Sequence, residues 1–202
     1  MARMTRSESQ AQTRADLIAT ARDLFLADGY AATSLEKVAE EAGYSKGAVY
    51  SNFRSKKELC LEALQLIHAT KGAEVAAVMA RQEPLEERLV AFEEWAERTL
   101  GDVGWTMLEF EFIAAARHDP ELRAALASSL STTHTVVRTL LAALVAAGEV
   151  TLPMSVEDAA TSVLSTGIGL GIQRAIDPGI SAAVVTRNLR VLLTGSAAGQ
   201  LP

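Results

Sequence analysis

Residues 33–59 read TSLEKVAEEAGYSKGAVYSNFRSKKEL, and their pattern decides the fold. Two short helical patterns lie there, separated by a turn centred on Gly43. Thr33 followed by Glu36 fits a capping box, with the hydroxyl on an early helix N–H and the carboxylate back on the cap. Leu35, Val38, Ala39 and Ala42 recur every three or four residues as one apolar stripe. Gly43 stands where a helix ends in a left-handed residue. Ser45 can cap the next helix, and Ser55 with Glu58 marks a third start. Starts this close together demand short helices packed at steep angles. That is the layout of a helix-turn-helix, whose second helix enters the DNA major groove.

The middle helix, about Lys46 to Phe53, carries the chemistry. At ~100° per residue, Val49 and Phe53 fall on one side and must face the core. The opposite side carries Gly47, Ala48 and Ser51, with Lys46 and Tyr50 on its flank. Small outward side chains permit close approach to another surface, and the flanking cation and phenol can hold phosphates. Ser45 adds the helix N-terminus, whose N–H groups and partial positive charge suit an anion. An ordinary surface helix is the alternative, but it leaves the clustered caps and the outward Tyr50 without a purpose.

The stretch from Thr13 to Leu64, TRADLIATARDLFLADGYAATSLEKVAEEAGYSKGAVYSNFRSKKELCLEAL, resembles the DNA-binding domain of the tetracycline-repressor (TetR) family. The matching features are Ala21 and Phe25 on the first helix, Gly29-Tyr30 after it, and Thr33-Ser34 leading the second. The V-A-x-x-A-G-Y-S-K-G-A-V-Y-x-x-F run from Val38 to Phe53 and the following Lys-Lys-Glu-Leu also match. The resemblance implies phosphate contacts by Thr33 and Ser34, and places Lys46, Gly47 and Ala48 along the bases. There the Ala48 methyl can meet a thymine methyl. It further implies a grip on the DNA backbone by Tyr50 and Lys56, with Tyr44, Ser45 and Ser51 as additional contacts. The family often carries His at position 52. Asn52 still offers a donor and an acceptor.

A net charge of −6 argues at first against a nucleic-acid partner, but its distribution removes the objection. Residues 1–67 hold nine Lys/Arg and nine Asp/Glu, so the acidity belongs to the remainder. A neutral DNA-binding part predicts modest non-specific affinity that falls with salt, and specificity resting on shape and base fit. Arg3 and Arg6 are either a DNA-contacting arm or a solvated tail. No apolar signal segment and no apolar run of the ~18 residues needed for a membrane span is present, so a cytoplasmic protein is expected. The single Cys60 lies among Leu59, Leu61 and Leu64 and reads as a packing residue. The three histidines are isolated, and neither metal nor cofactor is expected.

Beyond residue 55 the chain reads as helices throughout. One runs from Lys56 to about Ala80, a second opens at Pro84, and a third spans Trp105 to about Arg117. Others run from Pro120 to about Ala147, from Ser155 to about Ile176, and from Ser181 to about Thr194. Pro at helix starts and Gly148 at an end fit the capping asymmetry. The expectation is an all-α fold of about nine helices in two domains. Residues 1–55 form a three-helix DNA-binding domain, and 56–202 a helical effector-binding and dimerisation domain. The tail from Gly195 to Pro202 is expected to fray.

Every aromatic residue after Cys60 lies between Phe92 and Phe112. Such a cluster can be ordinary core or the wall of an apolar ligand cavity. The resemblance favours the cavity, because the family places its effector chamber among the middle helices. Candidate ligand residues are Phe92, Trp95, Trp105, Leu108 and Phe112, with Glu109, His134, Arg138 and Gln173 as polar orienters. Gly167, Gly169 and Gly171 each cost about 1 kcal/mol relative to Ala inside a helix. Close packing of another helix would offset them. Leu164, Ile168, Gly171, Ile172 and Ala175, with Val185, Leu189 and Leu192 on the final helix, are therefore candidates for the four-helix dimer interface that the resemblance implies. Packing within the chain is the alternative.

These expectations add up to a homodimeric repressor on a near-palindromic operator, released by a small, partly apolar effector. A DNA-binding regulator controlled by a partner protein, or an activator, is the nearest rival. The chain offers no paired nucleophile and base and no phosphate loop, so an enzyme is not expected.

Overall fold

The structure is a computed structural model that describes residues 5–194. Arg3 and the segment 195–202 lie outside the described residues. The described residues form nine α-helices and no strand: α1 (Arg6–Ala32), α2 (Leu35–Glu41), α3 (Lys46–Asn52), α4 (Lys56–Met79), α5 (Leu85–Thr99), α6 (Val103–Ala115), α7 (Pro120–Ala146), α8 (Val156–Ile176) and α9 (Ala183–Thr194). A short 3₁₀ turn, Ala116–His118, follows α6.

Local chemistry sets most of these boundaries. Thr5 and Glu8 make a reciprocal capping box at the start of α1. Ser45 and Ser155 cap α3 and α8, accepting the N–H of Ala48 at 3.2 Å and of Asp158 at 3.0 Å. Gly43 and Gly148 close α2 and α7 with φ of +72° and +71°. The capping box expected at Thr33 does not form. Ser34 caps α2 by accepting the Lys37 N–H at 3.1 Å. Thr33 is only 1% exposed and donates its hydroxyl to the Gly29 carbonyl at 3.0 Å.

Compactness divides the chain differently from the single cut expected after residue 55. Among the described residues, one unit comprises residues 5–70 and 107–125, and the other residues 71–106 and 126–194. In the first unit the buried residues include Leu17, Ala21 and Phe25 of α1, Val38 of α2, Val49 of α3 and Leu64 of α4. Leu108 and Phe112 of α6 are buried there too, and the Phe112 ring meets Tyr30 edge-on at 5.0 Å. Further bonds hold α6 and the start of α7 within this unit. Glu111 accepts the Tyr30 N–H at 2.9 Å, Lys57 pairs with Asp119, and His68 bonds Glu109. Cys60 is fully buried and burial pushes its thiol pKa up, in keeping with a packing role.

The second unit has its own core, drawn from α4, α5, α7, α8 and α9, with Leu89, Ala96, Ala160 and Leu193 at its most buried positions. Arg88 is buried on α5. It donates to the Met79 carbonyl at 2.9 Å and pairs with Glu149. Arg174 on α8 donates to the carbonyls of Leu100 at 2.8 Å and Glu97 at 3.1 Å, and to that of Ile180. It thereby satisfies the final carbonyls of α5 and ties them to the α8–α9 connection. Val185 and Leu189, expected on a dimer face, are buried in this core. Their helix has one strongly apolar face, and α5 and α8 within the same chain cover it. Of the three glycines on α8, only Gly171 has close company, the Gly101 backbone N lying 3.9 Å from a built Cβ. Gly167 and Gly169 face open space.

Candidate nucleic-acid interface

α2, the Gly43 turn and α3 form the helix-turn-helix. Tyr44 N–H bonds the Ala39 carbonyl at 2.9 Å and Gly43 N–H the Glu40 carbonyl at 3.1 Å, which closes α2 tightly before α3 begins. Val49 and Phe53 are buried, as the helical period requires. Lys46, Gly47, Tyr50 and Ser51 are exposed, and Ala48 is half-buried. Lys46 to Ser51 thus present a cation, a phenol and two small residues outward. Nothing but the Ser45 hydroxyl lies near Gly47, at 3.7 Å from a built Cβ, so this surface admits close approach.

Polar contacts on this surface are specific. Tyr50 is 55% exposed and donates its hydroxyl to Glu36 at 2.8 Å. That bond lowers the Glu36 pKa and raises that of Tyr50, so at neutral pH the phenol keeps its proton and remains a donor. Lys46 adds a further favourable charge beside Glu36. Ser51 and Asn52 both bond back to the Ala48 carbonyl, at 2.9 and 2.8 Å. The Asn52 amide is thus engaged within its own helix.

Three expected contacts also bond within the chain. Thr33 is buried beneath the surface, and its hydroxyl braces the end of α1, so it leaves the contact set. Tyr44 donates to Asp16 on α1 at 2.6 Å, a bond that lowers the Asp16 pKa and raises that of Tyr44. Lys56 donates to the carbonyls of Tyr30 and Ala31 at 2.7 and 3.3 Å and lies 4.3 Å from the Tyr30 ring centroid. A cation at these carbonyls suits the negative end of α1. Arg14, outside the expected contact set, bonds the Asn52 carbonyl at the end of α3 and pairs with Glu62. Its guanidinium lies 4.3 Å from the Phe53 ring centroid. Only the i-to-i+4 spacing of Glu58 and Glu62, with a cation on a preceding helix, hinted at it.

The candidate effector residues are divided between the two units. Leu108, Glu109 and Phe112 belong to the first unit, where the two apolar side chains are core and Glu109 bonds His68. Phe92 and Trp95 belong to the second unit and stack at 5.5 Å with 20° between their planes, Phe92 buried in its core. Trp105 is half-buried, its N–H bonding Asp102 at 2.7 Å. His134 bonds Thr161 at 3.0 Å, and both it and Arg138 approach Glu157, at 3.6 and 3.8 Å. Gln173 is exposed. Of these, Trp95 lines a cavity of about 440 Å³ in the second unit.

Residues 17–63 match the family model described as bacterial regulatory proteins, tetR family. Residues 84–195, more than half of the chain, match the model described as BetI-type transcriptional repressor, C-terminal. The HTH-type transcriptional regulator TtgR of Pseudomonas putida is 41% identical over 70 residues, 35% of this chain and 33% of that protein. The chain therefore aligns with about a third of the length of such curated relatives. Among solved structures, the reduced form of NemR from Escherichia coli superposes with a TM-score of 0.72 at 17% identity, covering 91% of this chain and 98% of that one. FadR from Bacillus subtilis in complex with stearoyl-CoA gives 0.66 at 16% identity, covering 91% and 99%. These two likenesses speak to the fold alone. With a helix-turn-helix of this geometry and both halves of the chain matched, the protein belongs to the tetR family of bacterial regulatory proteins.

Proposed function

We propose that this regulator is a homodimeric repressor that reads a near-palindromic operator through α3 and is released by a small, partly apolar effector bound in the second unit. The observation that carries the DNA-reading part is the division of α3, with Val49 and Phe53 buried and Lys46, Gly47, Tyr50 and Ser51 outward. Ser34, Ser45 and Ala48 complete the contact surface, and Ser45 contributes the α3 N-terminus to a phosphate. Base discrimination rests on Lys46, the Ala48 methyl, water and DNA shape, since Gly47 offers no side chain.

Two recognition helices about 34–36 Å apart would read one face of the duplex, which requires a dimer. Its support is the apolar stripe left uncovered on α8. Ile168 and Ile176 are 49% and 76% exposed, Leu164 and Ile172 are half-buried beside them, and Gly167 faces open space. A second copy of the chain laid on this stripe would cover the isoleucines and supply the helix contact that Gly167 lacks. Effector control would act through α4, one unbroken helix from Lys56 to Met79 that carries residues of both units. Effector binding would favour a dimer whose recognition helices depart from one-turn spacing, and operator affinity would fall by linkage.

The test is selection of bound duplexes from random DNA, followed by binding measurements on the enriched site with wild type and Tyr50→Ala. A near-palindromic consensus, and a loss of about tenfold or more for Tyr50→Ala, is expected. Failure to enrich any sequence would refute operator reading by α3.

A further inference from the structure

The second unit has an open cavity of about 440 Å³, lined by Trp95 and by charged residues of α4, α5 and the segment just after α4. Its walls come from one face of α4 with the residues just after it, and from one face of α5. Such a volume is within the range of small-molecule sites, roughly 300–1,000 Å³. Ala77, Val78 and Ala91 make part of the wall short and apolar. Trp95 is fixed in place, its ring stacked on Phe92 and its indole N–H donated to Glu74 at 2.7 Å. What the indole offers the cavity is therefore carbon surface.

The charges around it are unevenly satisfied. Lys71 lies 3.4 Å from Glu74, so this pair largely neutralises itself. Arg81 and Arg98 also line the cavity, and neither guanidinium has a hydrogen-bond or ion-pair partner among the described residues. Glu94 lines it likewise without a partner among them. Two uncommitted guanidiniums therefore stand against one uncommitted carboxylate, in the part of the chain that carries the net negative charge. Guanidinium groups are planar forks that match carboxylates and attract aromatic faces.

We propose that this α4–α5 cavity is a site for a flat organic anion, an aromatic carboxylate whose ring lies against Trp95 and whose charge is taken by Arg81 and Arg98. Glu94 opposes the anion and restricts the site to ligands of low charge. The inference rests on the reading of the protein as effector-controlled and names the chemical class of that effector. Because Lys71, Ala77 and Val78 lie on α4 and Arg81 just follows it, occupancy bears directly on the helix that starts next to the DNA-binding elements.

The test uses the full chain, with 1-naphthoate and its neutral isostere 1-naphthamide as probes in calorimetric titration. Saturable binding of naphthoate is expected, at least tenfold tighter than the amide and weakening with salt. Arg98→Met and Arg81→Met should each weaken naphthoate binding about tenfold while leaving the amide unchanged. Glu94→Gln should strengthen naphthoate binding severalfold, a change of sign that a structural role would not produce. All three positions are exposed, and thermal melting verifies that the variants fold. Equal affinity for acid and amide, indifference to the arginine substitutions, or no saturable binding would each overturn the site. Operator binding measured in the same samples separates the two claims. Naphthoate bound without any change in operator affinity would sustain the site and overturn the effector reading. Operator release that survives both arginine substitutions would sustain the effector reading and overturn this site.

Discussion

The Tyr50 phenol is both exposed and bonded to Glu36, which places a carboxylate beside the group expected to hold a DNA phosphate. On the proposed reading, that carboxylate would occupy the phenol donor and repel the phosphate, holding operator affinity below what the cations alone would give. Glu36→Gln should raise operator affinity severalfold, most at low salt, as read by fluorescence anisotropy. Lys46→Ala should do the opposite and reduce the slope of log affinity against log salt by about 1. Thr33 separates a structural hydroxyl from a contacting one. Because its side chain is buried and bonds the Gly29 carbonyl, Thr33→Val should cost about 1 kcal/mol of stability. The affinity of the folded protein for operator should not change. A large loss of affinity without loss of stability would return Thr33 to the contact surface.

Between elements, Gly101, after α5, makes a close approach to α8. Its φ is +91°, and a built Cβ would lie 3.0 Å from the Arg174 carbonyl carbon and 3.2 Å from the Ala175 nitrogen. Both the conformation and the space exclude a side chain, so Gly101→Ala should destabilise by about 1–3 kcal/mol. A lowered thermal midpoint in calorimetry, with recognition-helix chemistry untouched, is the expected result. The same elements show what was legible in the chain and what was not. Serine caps at 45 and 155 and glycine stops at 43 and 148 act through neighbours three or four residues away, so local sequence suffices to place them. The inward face of α3 was legible for the same reason, being a matter of period. A period identifies an apolar face but not its neighbour. Val185 and Leu189 therefore read as a dimer face although they pack inside their own unit. Leu108 and Phe112 read as a ligand wall although they are core beside the DNA-binding helices. Thr33 and Ser34 are both capping residues in adjacent positions, and only the bend at Gly29, with φ of +80°, decides which hydroxyl turns inward. The cavity arginines, Arg81 and Arg98, are far apart in the chain and had no local signature.

At the scale of the whole molecule, the proposed operator reading requires two chains per site. The uncovered stripe on α8 is the proposed contact, so Ile168→Glu combined with Ile172→Glu should convert a dimer to monomers in sedimentation. Operator affinity should fall by about a hundredfold or more, while α3 itself is unaltered. A variant that remains dimeric would move the interface elsewhere. The measurement that tests the central claim most directly is an anisotropy titration of the selected operator at several salt concentrations, with stoichiometry determined at saturation. The account predicts tight, salt-dependent binding of two chains per site that survives an excess of random DNA. Binding of a single chain, or weak binding equal on selected and random DNA, would contradict it.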